Sequence, residues 1–258
     1  MGSASREALA RVSAQIGSVI STHTGAELLA GAVQLAASPA LLSAVTEQVA
    51  PLEAKAALVD RLFAGSSSDA RRLLSAAVAE NWSNGPELVA GIEELGIRAE
   101  AVVNSALADE LLAAASTIDA NHELELALGS KLSEADAKSA LAQRIFSGKV
   151  SDSALGVITY LTANSRGRRP SAALRASAHI AADQGGTALA TVTVAAPLSA
   201  TQQSRLAESL RQSAGRPVRV TTIIDPSLIG GVRVQLGDDV IDGSIRSRLE
   251  DLRQRLAG

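Results

Sequence analysis

The chain has 258 residues, enough for two domains or a domain and a half. Its 47% hydrophobic content against 20% charged excludes a disordered polymer, and a net charge of −3 argues against a globally basic nucleic-acid surface. With no cysteine, disulfides, thiolate chemistry and Cys-ligated metals are excluded outright.

Aromatic residues make up only 2% of the chain, so its core must be built from Ala, Leu, Val and Ile. Ala and Leu are also the strongest helix formers. The first residues, 1–7, lack the apolar segment of a signal peptide. The most apolar stretch, residues 28–45, is interrupted by Gln34, Ser38 and Pro39, too broken for a transmembrane span. The expectation is a soluble, intracellular chain.

From residue 27 onward the elements read as helices. Leu28, Leu29, Val33 and Leu35 mark one, stopped by Ser38-Pro39, and Leu41, Leu42 and Val45 mark a short second. Leu52, Leu58, Val59, Leu62 and Phe63 form a third, with Gly65 as its stop signal. Ser68 or Asp69 can cap the next, which carries Leu73, Leu74 and Val78. Residues 86–104 then read as one long helix.

The series then returns. Glu27-Leu-Leu-Ala recurs as Glu110-Leu-Leu-Ala. Ala54-Lys55…Leu58…Arg61-Leu62-Phe63 recurs as Ala137-Lys138…Leu141…Arg144-Ile145-Phe146. Both offsets are 83 (110 − 27 and 146 − 63), and Ser68-Asp69 keep that spacing with Ser151-Asp152. Chance likeness of Ala/Leu-rich helices does not place the chain's two Phe at equivalent positions, so the segment is read as an internal duplication. Leu155, Ile158 and Leu161 make one helical face in the second copy. Short loops between short amphipathic helices imply antiparallel bundles.

Near residue 186 the pattern changes. Residues 188–195 alternate as a strand, Ser199 caps a helix carrying Leu206 and Leu210, and residues 218–224 and 232–236 are two more strands. A turn at 237–239 leads to a closing helix with the stripe Ile245, Leu249, Leu252 and Leu256, capped by Asp242 or Ser244. The fold class expected is mainly α with a small α/β tail: a duplicated antiparallel helical bundle followed by a β-α-β-β-α domain. Its divisions are 1–97, 98–184 and 185–258. The first two tail strands, joined by a crossover helix, should lie parallel, with the third at an edge or in a hairpin.

No catalytic constellation emerges. His23, His122 and His179 have no partner at metal-binding spacing, and Gly185-Gly186 and Gly230-Gly231 lack the remainder of a phosphate loop. Asp238, Asp239 and Asp242 read as turn and cap residues. Arg166-Gly-Arg-Arg-Pro170 is a basic turn, read as a solvated loop or a contact with a protein or an anionic surface. No catalytic, cofactor or metal site is expected, and without neighbouring aromatics to stack bases neither is nucleic-acid binding.

Asp225-x-x-Leu228-Ile229-Gly230-Gly231, an apolar strand, and then Ile241-Asp242-Gly243-Ser244-Ile245-Arg246 before a closing helix resemble the C-terminal signature of the delta subunit family of F-type ATP synthase. The oligomycin-sensitivity-conferring protein is its mitochondrial relative. Lys138…Leu141…Phe146 and Leu161-Thr-Ala-Asn164-Ser-Arg166 resemble the family's helical domain, so the resemblance covers roughly residues 88–258. The first copy departs from the usual single bundle, as in a long form, and Arg6-Glu-Ala-Leu-Ala replaces the family's N-terminal aromatic-Ala pattern.

The resemblance implies a non-catalytic peripheral-stalk (stator) subunit, present once per complex, on the cytoplasmic face of the bacterial plasma membrane. The bundle would dock N-terminal helices of the alpha subunits, and the tail would hold the b subunit, so that the head does not rotate during proton-driven ATP synthesis. Candidate contacts for alpha helices are Leu73, Leu74, Val78 and Trp82 in the first copy and Leu155, Ile158, Tyr160 and Leu161 in the second. For the b subunit they are Ile223, Ile229, Val232 and Val234. The competing reading of the candidate bundle residues is core, and the competing function is a regulatory or small-ligand-binding protein with the tail as sensor.

Overall fold

The computed structural model describes all residues except 18–19, 48–49, 226–227, 229, 237–238 and 243–258. The chain forms two compact units, Met1–Gln184 and Gly185–Gly258.

Among the described residues the first unit is entirely helical: α1 (Ser3–Ser13), α2 (Thr24–Ala37), α3 (Pro39–Thr46), α4 (Leu52–Leu62), α5 (Ser68–Ala79), α6 (Gly85–Val103), α7 (Leu107–Asp119), α8 (His122–Gly129), α9 (Ala135–Phe146), α10 (Asp152–Ala163) and α11 (Pro170–Gln184). Side chains cap many of the starts. Ser38 accepts from the Leu41 N–H, Ser67 from Ala70, Asn84 from Glu87, Asn121 from Leu124 and Ser151 from Ala154. Each such cap contributes about 1 kcal/mol, by satisfying an amide that the helix leaves unpaired. Pro39 and Pro86 sit in first turns, where a missing N–H costs nothing.

Helix α6 runs through the middle of the unit. Its Leu88, Ile92, Leu95 and Ala99 are fully buried against Leu28, Leu74 and Val78. Small residues let it approach α2: a Cβ on Gly96 would stand 2.9 Å from the Leu29 side chain and 3.1 Å from the Gly25 carbonyl oxygen. The same packings occur twice. α2 lies on α6, and α7 on α11; α4 lies on α5, and α9 on α10; α2 touches α5, and α7 touches α10. α6 takes part in both series, packing against α1 and also against α11. The residue 97/98 division falls within α6.

Several local expectations change. α1 carries no strong apolar pattern, yet it is a helix that buries Ser5, Ala8 and Val12. α4 ends at Leu62 with Phe63 as C-cap, and Gly65 is not among the positive-φ glycines, so it is not the stop. The cap of α5 is Ser67, not Ser68 or Asp69. Its counterpart by role is Ser151, at an offset of 84 (151 − 67), because Ser151 follows Phe146 by five positions where Ser67 follows Phe63 by four, along a stretch that passes through Gly148 at φ 72°. Burial follows the new offset: Ala70, Leu73, Leu74 and Ala77 are buried, and so are Ala154, Val157, Ile158 and Leu161.

The second unit contains β1 (Ala188–Val194), α12 (Ala200–Ala214), β2 (Val218–Ile224), β3 (Val232–Leu236) and β4 (Asp239–Asp242). A reciprocal capping box of Ser199 and Gln202 starts α12, and Gly215, at φ 64°, ends it. The strand order is β2-β1-β3-β4, with β1 parallel to β2 and antiparallel to β3. Ala190, Val192, Val194 and Val234 pack with Leu206 and Leu210 of α12 into an apolar core.

The β-α-β-β-α expectation is thus corrected. β3 is an interior strand beside β1, because it carries a further strand, β4, on its other side. Asp239 begins that strand and Asp242 ends it. The expected closing helix lies outside the described residues. Gly230 and Gly231 adopt φ of 149° and 87°, which residues with side chains rarely take, so their role is in backbone geometry.

Candidate partner-binding site

The candidate residues divide by burial. Leu73, Leu74, Val78 and Trp82 lie in the core around α6, and Ile158 and Leu161 are fully buried on α10. Trp82 uses its indole N–H within the fold, donating to the Ala77 carbonyl at 2.7 Å, and its ring lies over Gly91 of α6. Leu155 and Tyr160 are half-buried and reach the surface. In the tail, Val232 and Val234 lie on the face covered by α12, whereas Ile223, paired with Thr193, points to the opposite face. Ile229 lies outside the described residues. Those tail residues therefore do not form one surface.

Four carboxylates organise the helical unit. Glu27, in the first turn of α2, accepts the Ser67 N–H at 3.0 Å and the Ser67 hydroxyl at 2.5 Å. Glu110, in the first turn of α7, accepts the Ser151 N–H at 2.7 Å and hydroxyl at 2.8 Å, and also the Asn104 amide at 2.7 Å. Each carboxylate thus stands between its own helix start and the start of a second helix, where the aligned peptide dipoles favour negative charge. Burial works against charge on Glu110, but the bonds from Asn104 and Ser151 outweigh it and hold its carboxyl below the ordinary range.

Glu100, at the far end of α6, is buried and accepts the Ser153 hydroxyl of α10 at 2.5 Å and the Ala26 N–H of α2. Burial pushes its carboxyl up, against the opposing pull of Ser153, Ala26 and His23. Glu93, also buried on α6, pairs with Arg166 at 2.5 Å and Arg168 at 2.9 Å. The basic turn is therefore not simply solvated: two of its arginines neutralise a buried acid, and Arg166 takes φ 47°. Burial and the Glu93 charge push the Tyr160 phenol well above its ordinary value.

Tyr160 and Glu100 line a cleft of about 270 Å³ between α2, α6 and α10, whose other walls include Leu29, Ala30, Gly156 and Val157.

The sequence reading missed the roles of Glu27, Glu93, Glu100 and Glu110. Glu27 and Glu110 stood inside the repeated motif, and their joint recurrence was the available signal. Glu93 and Glu100 sit in a helical pattern that gives no sign of burial. Among the described residues, no group of three or more His, Asp or Glu side chains is placed to hold a metal ion. Among the same residues no single helix is long and apolar enough to cross a membrane; two consecutive pairs pass together, bent by 105° and 116°.

Residues 97–256 match the family model described as ATP synthase delta (OSCP) subunit. The ATP synthase subunit delta of Leifsonia xyli subsp. xyli is 41% identical over 264 positions, covering 100% of both chains. That of Nocardioides sp. is 37% identical over 90% of this chain and 86% of its own, and that of Streptomyces coelicolor 36% identical over 100% and 98%. Among solved structures, a chain in the cryo-EM structure of the Toxoplasma gondii mitochondrial ATP synthase hexamer is 19% identical and covers 63% of this chain and 97% of its own, with a TM-score of 0.39. Matched by the family model over more than half its length, and by relatives above 30% identity along the whole of it, the chain belongs to the ATP synthase delta (OSCP) family.

Proposed function

We propose that this chain ties the catalytic head of a bacterial ATP synthase to the b subunit, as a single copy on the cytoplasmic face of the plasma membrane. The full-length match to delta subunits carries the reading. Membership of that family makes the chain a non-catalytic component of the peripheral stalk. The helical unit would receive N-terminal helices of the alpha subunits and the tail the end of the b subunit.

Energetics favour several attachments. A helix in an apolar groove anchors through about four residues, each worth roughly 1.5–3 kcal/mol when buried. Association costs about 4–15 kcal/mol, so one helix alone is marginal. Linked attachments raise one another's effective concentration.

We read α1–α6 and α6–α11 as two copies of one six-helix bundle that share α6, followed by the stalk-binding tail from residue 185. The recurrence of the Glu27–Ser67 arrangement as Glu110–Ser151, and the paired packings around α6, support this. In the second copy Leu155 and Tyr160 are the surface-reaching contacts for an alpha helix. Leu73, Leu74, Val78, Trp82, Ile158 and Leu161 act by shaping the bundle beneath. In the tail Ile223 is the contact clear of the α12 side, with Val232 and Val234 as support.

Calorimetric titration of the full chain with a peptide of the alpha N-terminus tests the reading. Saturable heat that falls on Tyr160→Ala is expected. No heat from this peptide or from a b C-terminal peptide at high concentration would contradict it.

A further inference from the structure

Among the described residues, the tail sheet has one long unpaired edge. β2 (Val218–Ile224) is seven residues long and pairs only with β1 among the described residues. The direction of its backbone groups follows from two hydrogen bonds. The Ala188 N–H donates to the Pro217 carbonyl at 2.8 Å, and the Asp225 N–H donates to the Val194 carbonyl at 2.9 Å. With Ala188 opposite Val218 in a parallel ladder, these bonds fix the phase. Arg219, Thr221 and Ile223 turn their N–H and C=O groups toward β1. Val220 and Thr222 turn theirs outward, where no partner meets them among the described residues.

Those same two residues line a cleft. Val220 and Thr222, with Gln203, Ser204 and Ala207 of α12, enclose about 390 Å³ beside the edge. An unpaired strand edge and a groove for side chains therefore coincide. Sheet edges are usually protected by proline, by lysine or by being short. β2 has neither residue within its seven positions, and its one charged residue, Arg219, turns its backbone groups toward β1.

We propose that an extended segment of a neighbouring ATP synthase subunit adds to β2 as a further strand, pairing with the backbone of Val220 and Thr222 and seating alternate side chains in the α12 cleft. A helix would leave the outward N–H and C=O groups of β2 without partners, because its own are used internally; a strand satisfies them at the matching two-residue period. The cleft selects short side chains. Ala207 and Val220 are apolar walls, Ser204, Gln203 and Thr222 offer hydroxyl and amide groups, and none of the five is charged. Serine, threonine or valine at every second position of the incoming segment fits it. The inference rests on the chain's place in the stalk for the source of the segment, but not on which subunit supplies it.

Amide-resolved hydrogen exchange, on the isolated full chain and on the purified assembled ATP synthase, tests it. On assembly the Val220 and Thr222 amides should slow at least tenfold, while Arg219, Thr221 and Ile223 are slow in both states. A Val220→Pro chain should keep its sheet, because that N–H takes no part in the ladder with β1, and melting within a few degrees of the parent confirms this. Its retention in the assembled complex should fall several-fold. A co-purifying chain with both amides unprotected would overturn the inference and leave the stalk reading standing, as would full retention of Val220→Pro. Protection that grows with concentration in the isolated chain would overturn it in favour of a second copy. Failure of the parent chain to co-purify at all would sink both.

Discussion

Glu110 accepts both the backbone N–H and the hydroxyl of Ser151, so one carboxylate closes the start of α10 from the first turn of α7. Glu27 does the same for Ser67 and α5. Two pairs of helices far apart in sequence are thus locked by charge-assisted bonds at their positive ends.

Glu110→Gln is expected to cost about 1.5–3 kcal/mol at neutral pH, the usual worth of a hydrogen bond to a charged group. The sign with pH is fixed by the lowered carboxyl of Glu110. Its folded value lies below the unfolded one, so its stabilisation is complete above the ordinary carboxylate range and is lost as pH falls through the folded value. Urea unfolding of parent and variant should show a gap at pH 7 that shrinks toward pH 3. A gap of the same size at both would contradict this account of Glu110.

Glu100 should behave in the opposite sense. Its carboxyl is raised, chiefly by burial, so the folded state takes up a proton more readily than the unfolded chain. Its charge therefore opposes folding at neutral pH, and that opposition eases as pH falls through the raised value. Glu100→Gln keeps the shape and an acceptor for Ser153 and Ala26 and removes the charge. Its melting temperature at pH 7 should equal or exceed the parent's, with the two converging in acid. A clear drop at pH 7 would show that the charge holds α2 and α10 together.

Glu93→Ala takes from Arg166 and Arg168 the buried carboxylate on which both end. Breaking a pair from one side costs about 3–5 kcal/mol when the charge left behind is buried; here both guanidinium groups left behind are about a third exposed, so a loss of about 1–3 kcal/mol is expected. Chemical denaturation reads this directly; a loss under about 1 kcal/mol would mean that the arginines are served by water instead.

The duplicated motifs and the tail strands were legible because both rest on local pattern. The two Phe, Phe63 and Phe146, and the two lysines, Lys55 and Lys138, recur with nearly the same burial, since each pair sits in the same packing environment. The one-residue change of offset was not legible. It falls between Phe146 and Ser151, and the caps Ser67 and Ser151 reveal it together with the burial pattern that follows them. Trp82 shows the other limit. An amphipathic aromatic suits an interface or a core equally well, and what decides is whether a glycine faces it. Gly91 does, three helical turns before the end of α6, a placement that sequence spacing alone does not reveal. β4 went unseen because four residues ending in Asp242 carry almost no strand signal, and its pairing with β3 defines it.

The central claim is that this chain holds the head without taking part in its chemistry. ATP-driven proton pumping by membranes carrying its own ATP synthase, stripped of the chain and then given it back, tests that most directly. Stripped preparations should still hydrolyse ATP but pump no protons, and the full chain should restore pumping in proportion to the amount rebound. Pumping of equal strength with and without the chain would contradict it.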